Sequence, residues 1–245
     1  MKIGILVPST TRGTKAKKLE DTHLFKYLIN SLIRTLDCHA ENQYHLYLAI
    51  DDNDNIYSKF QTKKKLLNKD TYSRNNKFIK IIPHICSTKN IEKGNVVGYW
   101  NMLFKKAYDD GCDYFVQSGD DIVYHNRHWL NICIHHLNLC NGYGVSTPID
   151  INNPKLMTQS VVSRKHMDIF GFYYPPELKS WFCDNWITDI YKKQFGAFIR
   201  ATLENKGGAP RYTPPDWETT KSLCNDLLKK YQPKLLNHLN LSCQN

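Results

Sequence analysis

The stretch "YFVQSGDDIVYH" (Tyr114–His125) runs from a short apolar segment straight into two adjacent aspartates, Asp120 and Asp121. A compact run of this kind suits a strand buried on both faces of a sheet. Two carboxylates at the end of such a strand have two ordinary uses. They can cap the amides of a turn. They can also hold a hard divalent cation, because Mg²⁺ is usually bound through one or two carboxylates together with substrate phosphate oxygens. Gly119, just before the pair, has no Cβ and leaves the backbone open to close approach, as a diphosphate would need.

Working outward, the flanking segments alternate between the two periodicities. "IGILVPS" (Ile3–Ser9), "YHLYLAID" (Tyr44–Asp51), "KFIKIIPH" (Lys77–His84), "DYFVQSG" (Asp113–Gly119) and "YGVSTPID" (Tyr143–Asp150) read as strands. Between them, Leu24, Leu28, Leu32 and Leu36 recur at helical spacing after a capping Thr22. The lysine-rich Ser58–Lys69 reads as a surface helix. "NVVGYWNMLFKKAYDDG" places Val97, Trp100, Leu103, Phe104 and Ala107 on one face and stops at Gly111. "HWLNICIHHLNLC" is a further helix. Strands alternating with helices predict an α/β domain with a mostly parallel sheet. Ligands of such sheets bind beyond the carboxyl ends of the strands. Pro8-Ser9-Thr10, Asp51-Asp52 and Asp120-Asp121 all fall at such ends.

The chain has 245 residues, with 41% hydrophobic and 23% charged residues, enough for a sizeable core. Lys and Arg outnumber Asp and Glu by 33 to 23, giving +10, which suits an anionic partner. The basic residues are scattered and no nucleic-acid-binding motif is present, which argues against a nucleic acid and leaves an anionic membrane surface or a phosphorylated small molecule. Eight cysteines form no C-x-x-C pair and sit mostly in apolar runs, as reduced thiols of a cytosol-like compartment do. No stretch reaches the ~20 apolar residues of a transmembrane helix, and "MKIGILVPS" is too short for a signal peptide.

The strand ends "VPST" and "IDD", followed by "GNVVGYWNMLFKKAYDDGCDYFVQSGDDI", resemble GT-A fold, nucleotide-sugar-dependent glycosyltransferases of the family 2 type. "VVSRKHMDIFGFYYPPELKSWFCDNWITDIY" is similar to the acceptor-side segment of that superfamily, where a strand and an aromatic loop precede an acidic residue at a helix start. The resemblance covers residues 1–200 as a pattern of segments. It implies a GT-A (Rossmann-like) α/β fold: a mostly parallel central sheet flanked by helices, an irregular acceptor-side half and C-terminal helices. One domain would span 1–245, with a nucleotide-sugar-binding half at 1–150, an acceptor-side half at 151–205 and a C-terminal loop and helices at 206–245. The usual acidic motif of the family is D-x-D. Here the triplet is Gly119-Asp120-Asp121, without the first carboxylate.

Residue by residue, the resemblance implies that Pro8, Ser9 and Thr10 lie beside the nucleotide and that Asp51 or Asp52 accepts a hydrogen bond from the base. Asn101 and the Gly94-Asn95 turn would approach the donor, as would Gly119. Asp121 would ligate Mn²⁺ or Mg²⁺, and Asp120 would serve either the metal or the ribose. Arg12 and Arg211 suit the diphosphate, with Gly207-Gly208 letting their loop close over the donor. Asp184 in "WFCDNW" is the candidate base for the acceptor hydroxyl, with Asp189 in reserve, although Asp184 could equally be a helix cap. Trp181, Phe182 and Trp186 could form a wall for a sugar ring, or pack in the core. His166 is expected to be structural. The function expected is metal-dependent transfer from a nucleotide diphosphate sugar, a UDP-sugar, to a glycan, protein or small-molecule hydroxyl. The competing readings are a nucleotidyltransferase, for which "PSTTRGTKAKK" is a loose approximation to the phosphate loop, and a non-catalytic sugar- or nucleotide-binding protein.

Overall fold

The computed structural model describes residues 1–38, 41–68, 71–74, 77–208 and 211–242. Among them the strands are β1 (Lys2–Ser9), β2 (Gln43–Ile50), β3 (Thr71–Arg74), β4 (Lys77–Ser87), β5 (Tyr114–Gln117), β6 (Ile122–Tyr124), β7 (Val145–Asp150), β8 (Val161–Ser163) and β9 (Gly196–Asn205). The helices are α1 (Asn30–Thr35), α2 (Phe60–Asn68), α3 (Val96–Asp109), α4 (Trp129–Leu139), α5 (Arg164–Phe170), α6 (Cys183–Phe195) and α7 (Trp217–Ser242).

The strands join in the order β3-β4-β2-β1-β5-β8-β7-β9-β6. β4, β2, β1 and β5 pair in parallel, and β7 pairs in parallel with β9. Because β8 runs against both β5 and β7, all six of those strands point the same way. Only β3, β6 and β8 oppose them. The carboxyl ends of β2, β1, β5 and β7 therefore open on one edge.

β1 explains why the sequence is apolar without alternation. Ile3, Ile5 and Val7 pack on one face, in the cluster that holds Leu24, Leu28 and Leu32. Leu6 packs on the other, with Val97, Leu103 and Phe104 of α3. Gly4 brings α3 close, since a Cβ there would stand 3.0 Å from that of Ala107. The helix expected over Thr22–Leu36 opens with a π-helical turn, Leu24–Ile29, before α1. The pairs Leu24-Phe25 and Leu28-Ile29 are all buried, a broader apolar face than one α-helical stripe presents.

The half after Asp150 is more regular than its composition suggests. β9 carries Ile199, Ala201 and Leu203 inward and Phe198 and Arg200 outward, and it reaches its partners β7 and β6 across 51 or more residues. α7 is a single helix that keeps Pro233 inside it. His166 is structural, as expected: it is buried between the Tyr191 hydroxyl (2.8 Å) and the Tyr173 carbonyl (2.9 Å), and burial holds it neutral with its pKa down near 4. Cys86, Cys112, Cys133, Cys140, Cys183 and Cys224 are free thiols. No helix among the described residues is long and apolar enough to cross a membrane.

Candidate active site

A cleft of about 600 Å³ opens where the carboxyl ends of β2, β1, β5 and β7 meet the starts of α6 and α7. Asp120 and Asp121 stand in its wall, just past β5. Asp120 is buried and accepts from Ser9 Oγ at 2.7 Å. The Arg211 guanidinium grips both Asp120 oxygens, donating from Nη1 to Oδ2 at 3.2 Å and from Nη2 to Oδ1. The same guanidinium reaches Asp121 Oδ2 at 3.3 Å and the Thr10 carbonyl at 2.7 Å. Burial and the charge of Asp120 push the Asp121 carboxyl above the usual carboxylate range, against the pull of Arg211. Burial would lower Arg211, but the two aspartates outweigh it and hold it above its ordinary value.

Two glycines make room for the Asp121 carboxylate. A Cβ on Gly119 would lie 2.6 Å from its Oδ1, and one on Gly207 1.8 Å from its Oδ2. So Gly119 does serve a close approach, but the group approaching it is a carboxylate of the chain itself. Its amide is also engaged, donating to Gln159 Oε1 at 2.8 Å.

The residues around the pair fit a divalent cation. His23, at the start of the π-helical turn, has a buried Nδ1 with no hydrogen-bond partner. Its ring and the carboxylates of Asp120 and Asp121 each offer a ligand atom, all within 4.8 Å of one another. Burial lowers the pKa of His23, more than the nearby Asp120 raises it, and neutral imidazole with carboxylates is a donor set for a first-row divalent ion. His23 was not foreseen from the sequence, since it sits in a helical run 97 residues before Asp120.

Pro8, Ser9, Thr10, Arg12 and Asp51 line the same cleft, joined by Tyr99 and Trp100 of α3. Arg12 pairs with Asp51, which also accepts from Thr88 Oγ1 at 3.1 Å. The loop after β1 is held by Asp54, which accepts from the amides of Thr11 (2.6 Å), Ile56 and Tyr57 (both 3.0 Å). Burial raises its pKa, but these amides outweigh it and leave it lowered.

Three residues expected at the donor are used elsewhere. Asp52 is exposed and holds Ser87 Oγ at 2.9 Å. Asn95 is the cap of α3, accepting from the Gly98 amide at 2.8 Å. Asn101 spends its amide on the backbone of Tyr173 and Tyr174, at 2.8–3.0 Å. None of them lines the cleft.

On the β7 side, Trp181, Phe182 and Asp184 line the cleft, with Asp150, Asn153, Asn185, Tyr212 and Trp217. Phe182 takes a positive φ of 67° at the start of α6, a strained conformation for a bulky residue. Asp184 follows in the first turn of α6. It accepts from the Cys183 thiol at 3.1 Å, and burial raises its pKa to about 6, aided by the charge of Asp150. Two expectations are corrected on this side. Trp186 points into the core, fully buried 5.3 Å from the Phe170 ring. Asp189 is exposed and outside the cleft lining. Trp217, at the start of α7 in the C-terminal segment, is the tryptophan that faces the cleft in place of Trp186.

The architecture has known counterparts. S. aureus TarS in complex with UDP-GlcNAc superposes with a TM-score of 0.58 at 14% identity, over 93% of this chain and 65% of that one. GalNAc-T7 with UDP, GalNAc and Mn²⁺ gives a TM-score of 0.58 at 9% identity, over 84% of this chain and 44% of that one. The chain has a GT-A fold. It spans less than two thirds of the length of either counterpart. No protein-family model matches the chain, and no curated protein matches it in sequence. The GT-A arrangement accounts for the placing of the acidic pair, which sits at the end of β5 where the order of the sheet departs from the order of the chain.

Proposed function

We propose that the protein is a glycosyltransferase that moves a hexosyl group from a UDP-sugar to a hydroxyl acceptor. One observation carries this reading. A single cleft holds an acidic pair clasped to an arginine at one wall and, at the other, the Asp184 carboxylate with a pKa raised to about 6. The UDP-GlcNAc bound in TarS and the UDP, GalNAc and Mn²⁺ bound in GalNAc-T7 support the donor class.

Mn²⁺ or Mg²⁺ on Asp121 and Asp120, with His23 completing the set, would supply positive charge beside the departing diphosphate. Ser9 orients Asp120 for this. Arg12 and Asp51 frame the nucleotide end, and Tyr99 and Trp100 offer it ring faces. Asp184 takes the acceptor's hydroxyl proton as that oxygen attacks the anomeric carbon, and the bond to the diphosphate breaks with its electron pair leaving on the diphosphate. A base with a pKa near 6 is ionised at neutral pH yet still basic enough for this task.

The bidentate grip of Arg211 on Asp120 favours a second reading, in which the guanidinium itself is the resident cation and the transfer needs no metal. One experiment separates the two: nucleoside diphosphate release from a panel of nucleotide sugars, with Mn²⁺ and with EDTA. Release from a UDP-sugar that EDTA abolishes, and that Asp121→Ala lowers by about a hundredfold or more, supports the metal-dependent transferase. Undiminished release in EDTA transfers the role to Arg211. No release from any donor overturns both.

A further inference from the structure

We propose that the acceptor is an uncharged carbohydrate, seated on an aromatic corner formed by Trp181 and Trp217. This rests on the glycosyltransferase reading and adds the acceptor's chemical class and a platform residue from α7.

The two ends of the cleft differ in charge. Its two arginines, Arg12 and Arg211, are tied to Asp51 and to Asp120 with Asp121, at the ends of β2, β1 and β5. That is the end suited to phosphates. On the β7 side the lining includes Asp150, Asn153, Asp184 and Asn185 together with Trp181, Phe182 and Trp217. No lysine, arginine or histidine lines that side among the described residues. A phosphorylated, sulfated or uronic acceptor would meet two carboxylates and find no counter-charge, whereas hydroxyls find carboxylates and amides that can accept and donate.

The aromatic groups have a matching form. Trp217 is 53% exposed at the head of α7. Its ring lies 5.8 Å from Trp181 at an interplanar angle of 78°, and 4.7 Å from Phe182. Two indoles at near right angles make a corner and not a closed stack, which leaves aromatic surface for a ligand. The C–H face of a pyranose is apolar and its rim is polar, which is the pairing this wall presents.

The test uses the full chain, labelled and applied with UDP and Mn²⁺ to an array of neutral oligosaccharides and their phosphorylated, sulfated and uronic counterparts. UDP binding is measured separately by calorimetry. The proposal expects neutral glycans to be retained in preference to charged ones. It also expects Trp217→Ala to weaken retention by about tenfold or more, with Trp217→Phe retaining most of it. Circular dichroism checks that both variants fold. Preference for charged glycans, undiminished retention by Trp217→Ala, or no retained glycan by a protein that binds UDP would each overturn it. Loss of UDP binding alone counts against the nucleotide-sugar reading, while the array still decides the acceptor.

Discussion

The two walls of the cleft are built on opposite principles. On the β1–β5 side, charge is met by charge: Arg211 with Asp120 and Asp121, Arg12 with Asp51. On the β7 side, Asp184 has no cationic partner among the described residues and sits among aromatic rings, so its carboxyl is raised by burial and not held down by a guanidinium. A paired carboxylate is fixed in position and suited to holding cations and phosphates. An unpaired, partly desolvated one is poised to exchange a proton. The same residue type does different work because its surroundings differ.

The largest effect is expected at Asp184. Asp184→Asn should lower the turnover number by about 10²–10⁴-fold, the usual worth of a general base, and the wild-type rate should rise with pH through an apparent pKa near 6. The stability effect has the opposite sign. The folded value of about 6 lies above the ordinary 3.8, so the folded chain holds this proton more tightly and loses stability as pH rises from 3.8 through 6. At pH 7 the Asn variant should therefore be no less stable than wild type, and more stable by up to about 2 kcal/mol in thermal melts. A variant that is inactive and also strongly destabilised at pH 7 would mark Asp184 as structural.

Next in size is Trp186→Ala, which should cost about 3–5 kcal/mol in denaturant unfolding, because it empties a fully buried site. Trp186→Phe should keep glycan retention at the wild-type level, unlike Trp217→Ala. Arg211→Ala comes third. It frees the acidic pair, so Mn²⁺ should bind several-fold more tightly without nucleotide, read by electron paramagnetic resonance, while the KM for the donor rises about tenfold. Unchanged Mn²⁺ affinity would show that the guanidinium does not compete for the pair. The smallest effect is expected at Asp52→Ala, within about 0.5 kcal/mol of wild-type stability and with an unchanged KM for the donor, since its partner is the exposed Ser87 hydroxyl. Asp51→Ala should raise that KM.

Local patterns made much of the scaffold legible. β1, β2, β5 and β7 are short apolar runs with polar ends, and α3 and α4 carry helical periodicity with a cap or a terminal glycine nearby. β9 is less legible, although Ile199, Ala201 and Leu203 alternate with Phe198 and Arg200 along it. Its partners lie far away in the chain, and an isolated alternating segment among aromatics and prolines is a weak signal.

Residue type and position in the sequence determined that Asp120, Asp121, Asp51 and Ser9 would meet at one edge of a sheet, because parallel strands place their carboxyl ends together whatever the loops do. Only the tertiary structure decided which neighbour of each faced the cleft. It chose Asp51 over Asp52 and Trp217 over Trp186, and it brought Arg211 across 91 residues to Asp120. Those choices depend on side-chain direction and on long-range closure of the chain, and neither leaves a period in the sequence for a reader to find.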